Sequence, residues 1–195
     1  MDQTDRFRKI YILTHCETCF NSRGIFTGRL DSVLTARGHE HADYMAKLLK
    51  DVTIGIAYRS SLIRTKETLD HILKDHPETH VIVDDRIIER DYGELSGKSK
   101  KKYEAEHPDL YPVYHRSYLV APPGGESMKD VEKRVLPFIE DVIALVKRKK
   151  INVLIVAHGN SVRPLVRYFQ HLTPEEMMRL ENIRHKLFEY QIEVN

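Results

Sequence analysis

Short apolar runs and helical repeats alternate along the whole chain. KIYIL (9–13), IGIAY (54–58) and VIVD (81–84) have the length and β-rich content of strands. NVLIVA (152–157) is almost continuously apolar, as expected of a strand buried on both faces. LTARGHEHADYMAKLL (34–49) sets Ala42, Met45, Leu48 and Leu49 at helical spacing behind Thr35, a candidate N-cap. SSLIRTKETLDHIL (60–73) predicts a helix capped by Ser60 or Ser61. ESMKDVEKRVLPFIEDVIALVKR (126–148) predicts a long amphipathic helix with a bend at Pro137. NSVRPLVRYFQHL (160–172) predicts another, with Pro164 in its first turn. TPEE (173–176) combines an N-cap Thr, Pro at N1 and Glu at N3, and KLFEYQIEV (186–194) alternates like a closing strand.

Strands alternating with helices predict an α/β fold, a three-layer α/β/α sandwich with a mostly parallel central sheet, as one domain over 1–195. The exception is 85–125, rich in Gly, Pro, Tyr and His, which reads as a lid or binding segment.

Composition adds little to this picture. The 195 residues are 41% hydrophobic and 31% charged with net charge +2, an ordinary globular balance. The basic runs KSKKK (98–102) and KRKK (147–150) read as solvated helix faces, so neither nucleic acid nor a membrane is an expected partner. The start, MDQTDRFRK, carries no apolar signal core, and no run approaches a membrane span, so a reducing cytoplasm is the expected location.

Open parallel sheets bind ligands at the carboxyl ends of their strands. The residues expected there are Thr14, His15, Cys16 and Glu17; Arg59, Ser60 and Arg64; Asp85, Arg86 and Glu89; and His158, Gly159 and Asn160. This set suits phosphoryl transfer. A neutral imidazole can attack phosphorus, while arginine forks and a second imidazolium hold the equatorial oxygens. Helix starts after 60 and 159 would add backbone donors, and Glu89 could protonate the leaving oxygen. No metal is required.

Competing motifs are weaker. Cys16 and Cys19 form C-x-x-C after a strand, as in thioredoxin-like redox sites, and lie in a loop where a disulfide is geometrically allowed. A zinc site lacks a second ligand pair. A cysteine phosphatase needs Arg six residues after the Cys, and positions 22 and 25 are Ser and Ile. GELSGKS (93–99) is one residue short of a P-loop and follows no strand, although Lys98 and Lys100 could reach an anion from a lid.

The motifs together resemble the histidine phosphatase superfamily, and within it the cofactor-dependent phosphoglycerate mutases. THCETCFN (14–21) resembles R-H-G-E-[ST]-x-x-N, keeping His15, Glu17, Thr18 and Asn21. FTGRLDSVLTARGHEHA (26–42) resembles the next family segment, which implies Thr27 and Gly28 at the substrate. YRSSLIRTKET (58–68) implies Arg64 as a phosphate-pocket arginine. ERDYGELSGKSK (89–100) implies Glu89 as proton donor and acceptor, with Arg90, Tyr92 and Lys100 on the substrate. HRSYLVAPPGGESMKDV (115–131) implies Arg116 on a substrate carboxylate, with His115 where the family has arginine. VLIVAHGNSVRPLV (153–166) implies His158, Gly159 and Asn160.

Two departures stand out. The motif arginine is Thr14 and the motif glycine is Cys16, whose side chain stands where the family's backbone approaches the ligand. Arg23, Arg29, Arg184 and His185 are candidates to replace the lost cation. ENIRHK (181–186) stands where the mutases have a P-T-G segment, which places Asn182 near the site.

The resemblance implies exchange of 3-phosphoglycerate and 2-phosphoglycerate through a phosphohistidine, primed by 2,3-bisphosphoglycerate. Its alternatives are a phosphatase for a small phosphorylated metabolite, and a weakened protein that binds phosphorylated ligands. The expected partner is a small phosphorylated metabolite, and a homodimer is a further expectation.

Overall fold

The computed structural model describes residues 6–194, the side chain of His185 excepted. Its sheet holds β1 (Phe7–Thr14), β2 (Ile56–Arg59), β3 (His80–Val83), β4 (Val153–Ala157) and β5 (Phe188–Glu193), in the order β3-β2-β4-β1-β5. The first four run parallel, and β5 closes the edge antiparallel to β1. The helices are α1 (Cys19–Ser22), α2 (Ala36–Leu49), α3 (Ile63–Ile72), α4 (Lys100–Glu106), α5 (Leu110–Arg116), α6 (Met128–Lys149), α7 (Gly159–Gln170) and α8 (Pro174–Arg179). Among the described residues, no helix is long and apolar enough to cross a membrane.

The three layers follow from strand alternation. Ile10, Ile12, Val153, Ile155 and Ala157 pack with α6 and α7 residues such as Val135, Phe138 and Leu165. Tyr11, Leu13, Leu154 and Val156 point the other way, onto Met45 and Leu49 of α2 and Leu69 and Ile72 of α3. All five β4 side chains are fully buried. Burying each Val, Leu or Ile is worth about 1.5–3 kcal/mol, so this central strand concentrates the sheet's hydrophobic stabilisation.

The predicted elements appear with shifted ends. Thr35 and Thr173 cap α2 and α8 as expected, and Ser127 caps α6 in a box with Asp130. α6 runs unbroken past Pro137, an exposed position whose missing N–H removes the helical hydrogen bond to the Lys133 carbonyl. Pro164 lies in the second turn of α7, not the first. The segment 85–125 is more ordered than its composition suggests: it holds α4, α5 and two short 3₁₀ turns.

α3 departs most from expectation. Leu62 is its N-cap residue and provides no side-chain cap. Ser60 instead turns inward, while Asp85 accepts from the Ser61 N–H (2.8 Å) and Asp31 from the Ile63 N–H (2.9 Å). These donors are therefore satisfied by carboxylates and are not free for a substrate anion.

Topology creates the crevice. β1 and β4 are neighbours, paired Thr14 to Ala157 at their carboxyl ends. From there β1 leads to α1 and α2, whereas β4 leads to α7 on the opposite face. Chains diverging from adjacent parallel strands open a cleft between them.

Candidate active site

His15 and His158 each follow the last residue of their strand, so the β1–β4 register brings them together. The His15 N–H bonds the Ala157 carbonyl (2.9 Å), and the two rings meet edge to face at 5.1 Å. A cavity of about 480 Å³ opens on His15.

His15 is 5% exposed, and its Nδ1 lies 2.7 Å from the Cys16 carbonyl. A carbonyl can only accept, so Nδ1 carries the proton and Nε2 keeps its lone pair. Burial, then the Arg64 charge, holds the imidazole well below its ordinary pKa. The ring is neutral, as a nucleophile must be.

Arg64 is buried, with its fork directed by backbone: Nη1 donates to Leu30 O (2.8 Å) and Nη2 to Gly28 O (2.7 Å). Its Nε donates to His158 Nδ1 (3.2 Å), and His158 Nε2 lies 2.8 Å from Ser60 Oγ. Burial and Arg64 push His158 well below its usual pKa. The expected second imidazolium on the phosphate is therefore corrected. His158 is neutral, fully buried behind the cavity wall, and has both nitrogens committed. It holds Arg64 in place.

Glu89 does line the cavity. Its Oε1 accepts from the Arg90 N–H (2.8 Å) and from the Asn160 N–H at the start of α7 (3.2 Å). Arg134 steadies the segment behind it by donating to the carbonyls of Arg86 (2.7 Å) and Glu89 (3.2 Å).

Asn21, Thr27, Gly28, Tyr92, Lys100, Arg116, Gly159 and Asn160 also line the cavity, as expected. Asn21 spends its Oδ1 on the Thr18 N–H (3.3 Å), which leaves its amide donors to the cavity. Asn160 Nδ2 donates to the Tyr92 hydroxyl (3.2 Å). Gly28 has φ +53°, and a Cβ there would meet Ser96 Oγ at 2.9 Å. Burial, with the Arg184 and Arg116 charges, lowers Lys100 to about 8, while its ammonium lies 5.5 Å from the Phe26 ring. Thr27 Oγ1 is buried and has no hydrogen-bond partner among the described residues.

Arg90 is a second correction. It is buried outside the cavity, with Nε on the Glu126 carbonyl (2.6 Å) and its guanidinium 5.2 Å from the Tyr92 ring centroid. It supports Tyr92 from behind. Cys16 does not crowd the ligand either: its side chain packs between Leu34 and Ala42, and burial raises the thiol to about 11. Cys16 and Cys19 are both free thiols.

Of the candidate replacement cations, Arg184 lines the cavity. Arg29 pairs with Glu126 (3.2 Å) and Asp91 (3.7 Å), and Arg23 is exposed outside the wall. The His185 side chain lies outside the described residues. Asn182 is in the wall, as expected.

Sequence reasoning missed Arg163 and left His115 without a place; both line the cavity. Arg163 follows Gly159 and Asn160 by one helical turn, a spacing that could have pointed to it. Burial lowers it to about 10, and burial with the Lys100 and Arg116 charges lowers His115 to about 3. His115 is thus neutral where the mutase pattern has a cation. Among the described residues, no group of three or more His, Cys, Asp or Glu is arranged to hold a metal ion.

Comparison with known proteins agrees with this geometry. The model of the histidine phosphatase superfamily (branch 1) matches residues 10–193. The 2,3-bisphosphoglycerate-dependent phosphoglycerate mutases of Brucella melitensis biotype 2 and Brucella ovis are 37% identical over 179 residues, spanning 89% of this chain and 87% of theirs. The solved structure of mycobacterial glucosyl-3-phosphoglycerate phosphatase is 26% identical with a TM-score of 0.78, covering 90% of this chain and 85% of that one. Mycobacterial hydrolase 1 shares the fold at a TM-score of 0.85 and 24% identity, covering 95% and 92%. With a neutral histidine at the end of β1, a second histidine beside it and a match along nearly its whole length, the chain belongs to the histidine phosphatase superfamily and is an enzyme.

Proposed function

We propose that this protein exchanges 3-phosphoglycerate and 2-phosphoglycerate through a phosphohistidine on His15. The observation that carries this reading is the charge of the cavity wall. Arg64, Lys100, Arg116, Arg163 and Arg184 face Glu89 and Glu181 around the neutral imidazoles of His15 and His115. That excess suits a ligand with a phosphate at one end and a carboxylate or second phosphate at the other.

The chemistry balances as a displacement. His15 Nε2 forms a bond to phosphorus as the bond to the leaving oxygen breaks, and protonated Glu89 supplies that oxygen's proton. In return, Glu89 takes the proton of the attacking hydroxyl, and the phosphoryl group passes to it. Arg64 and Thr27 would hold the transferring oxygens, and Arg116 the carboxylate. 2,3-Bisphosphoglycerate would supply the priming phosphoryl group, and the orphan Thr27 hydroxyl among the cations fits such a polyanion.

A second reading is hydrolysis by the same intermediate, with water as acceptor. It is favoured by an apolar groove of about 760 Å³ that shares Arg116, Leu180 and Glu181 with the cavity and continues over Tyr118, Leu119 and Met178. Such a groove would accept a larger organic group than glycerate. Incubation with 2,3-bisphosphoglycerate and 3-phosphoglycerate, following 2-phosphoglycerate, free phosphate and acid-labile phosphohistidine together, separates the two. Isomer exchange supports the mutase, and phosphate release without exchange supports the phosphatase. Tight binding with no phosphohistidine would leave a ligand-binding protein and overturn both.

A further inference from the structure

The superfamily's motif arginine precedes the nucleophilic histidine, and here that position is Thr14. Thr14 is buried at the end of β1, and its hydroxyl donates to the Ile183 carbonyl (3.4 Å). Ile183–His185 is a 3₁₀ turn entered through Asn182 in the left-handed conformation (φ 55°). The next residue after the tethered carbonyl is Arg184, which lines the same cavity as His15 and Arg64. Among the described residues, no hydrogen bond or ion pair occupies its guanidinium. Arg163, the arginine in the wall that the sequence did not point to, instead donates to the carbonyls of Met177 (2.8 Å) and Met178 (3.2 Å).

We infer that Arg184 supplies the phosphate-binding guanidinium lost at position 14, and that Thr14 tethers the turn that presents it. Electrostatics agree with the placement: the two guanidinium charges acting on His15 are those of Arg64 and Arg184. The Thr14 hydroxyl holds the 183–185 turn against β1, so the cation arrives from the C-terminal segment. This inference rests on the family reading of the cavity as a phosphate site.

The test is calorimetric titration of inorganic phosphate into the full chain, alongside a phosphohistidine assay of the wild type. Arg184→Ala is expected to weaken phosphate binding by roughly tenfold or more, with Arg184→Lys intermediate because a point charge replaces the fork. Thr14→Arg in the Arg184→Ala background is expected to restore most of the loss. Thr14→Val should weaken binding in the wild type and add nothing further when Arg184 is already alanine, which a merely structural role would not produce. Arg184→Ala within about twofold of wild type, or no rescue by Thr14→Arg, overturns the inference while leaving phosphohistidine chemistry standing. Arg184-dependent phosphate binding without any phosphohistidine overturns the transfer reading alone. A wild type that binds no phosphate overturns both.

Discussion

Arg64 Nε donates to His158 Nδ1 across 3.2 Å, and the far nitrogen of the same imidazole is 2.8 Å from Ser60 Oγ. An imidazole that accepts at Nδ1 must carry its proton on Nε2, so Ser60 fixes the tautomer that Arg64 needs. Ser60→Ala is expected to leave a buried N–H unpaired, costing about 1–3 kcal/mol of stability. Turnover should fall more than substrate affinity, because Arg64 loses its orientation. Thermal melting and separate kcat and KM values check this, and an unchanged kcat would show that His158 needs no anchor.

His15 is the nucleophile in this reading, and the cysteines around it are not. His15→Ala should abolish phosphohistidine and lower turnover by more than about a thousandfold. Cys16→Ala and Cys19→Ala should keep both, because the Cys16 thiol is packed among Leu34 and Ala42 and raised to about 11. Acid-labile phosphate on each purified variant decides the matter. Activity that survives His15→Ala but fails with the cysteine variants would refute the mechanism.

Lys100, lowered to about 8, is cationic below that pH and loses its charge above it. Affinity for a phosphorylated ligand should therefore be flat near pH 7 and fall as pH rises through about 8. Phosphate is already mostly dianionic there, so its own ionisation does not explain a decline. If binding needs the charged lysine, the loss from pH 7 to 9 is about tenfold. Lys100→Arg keeps the charge and should remove the alkaline limb. The same slope in that variant would assign the titration to another group.

Gly38 sits in α2 against the loop that follows His15. A Cβ there would fall 2.1 Å from the Glu17 carbonyl oxygen, which also accepts from the Thr35 N–H (3.0 Å). Gly38→Ala must push the loop away from the helix. Overpacking of this kind costs about 1–3 kcal/mol, which in a chain this size lowers the melting temperature by roughly 2–10 °C. Calorimetry reads the shift directly. A variant as stable as wild type would mean the loop gives way freely.

Much of the fold was legible in the chain. Period-two runs, period-3.6 repeats and cap residues such as Thr35 and Thr173 are local, and local chemistry placed most elements within a few residues. The exceptions were non-local. Ser60 reads as a helix cap from its neighbours, yet it is drawn to His158, 98 positions away. Arg90 reads as a substrate ligand from its motif, yet the Glu126 carbonyl takes its Nε.

The sequence by itself determined the alternating α/β pattern, the family motifs and the histidine at the end of each of two strands. What only the tertiary structure decided was their meeting. Thr14 pairs with Ala157 because β4 inserts between β1 and β2, a register that no neighbour in sequence encodes. The same holds for Arg184. Its charge is visible in the chain, but its place in the cavity depends on a turn packed against β1 some 170 residues from its start. Side-chain patterns record what each segment buries, whereas a site is made of what separate segments bring to one point.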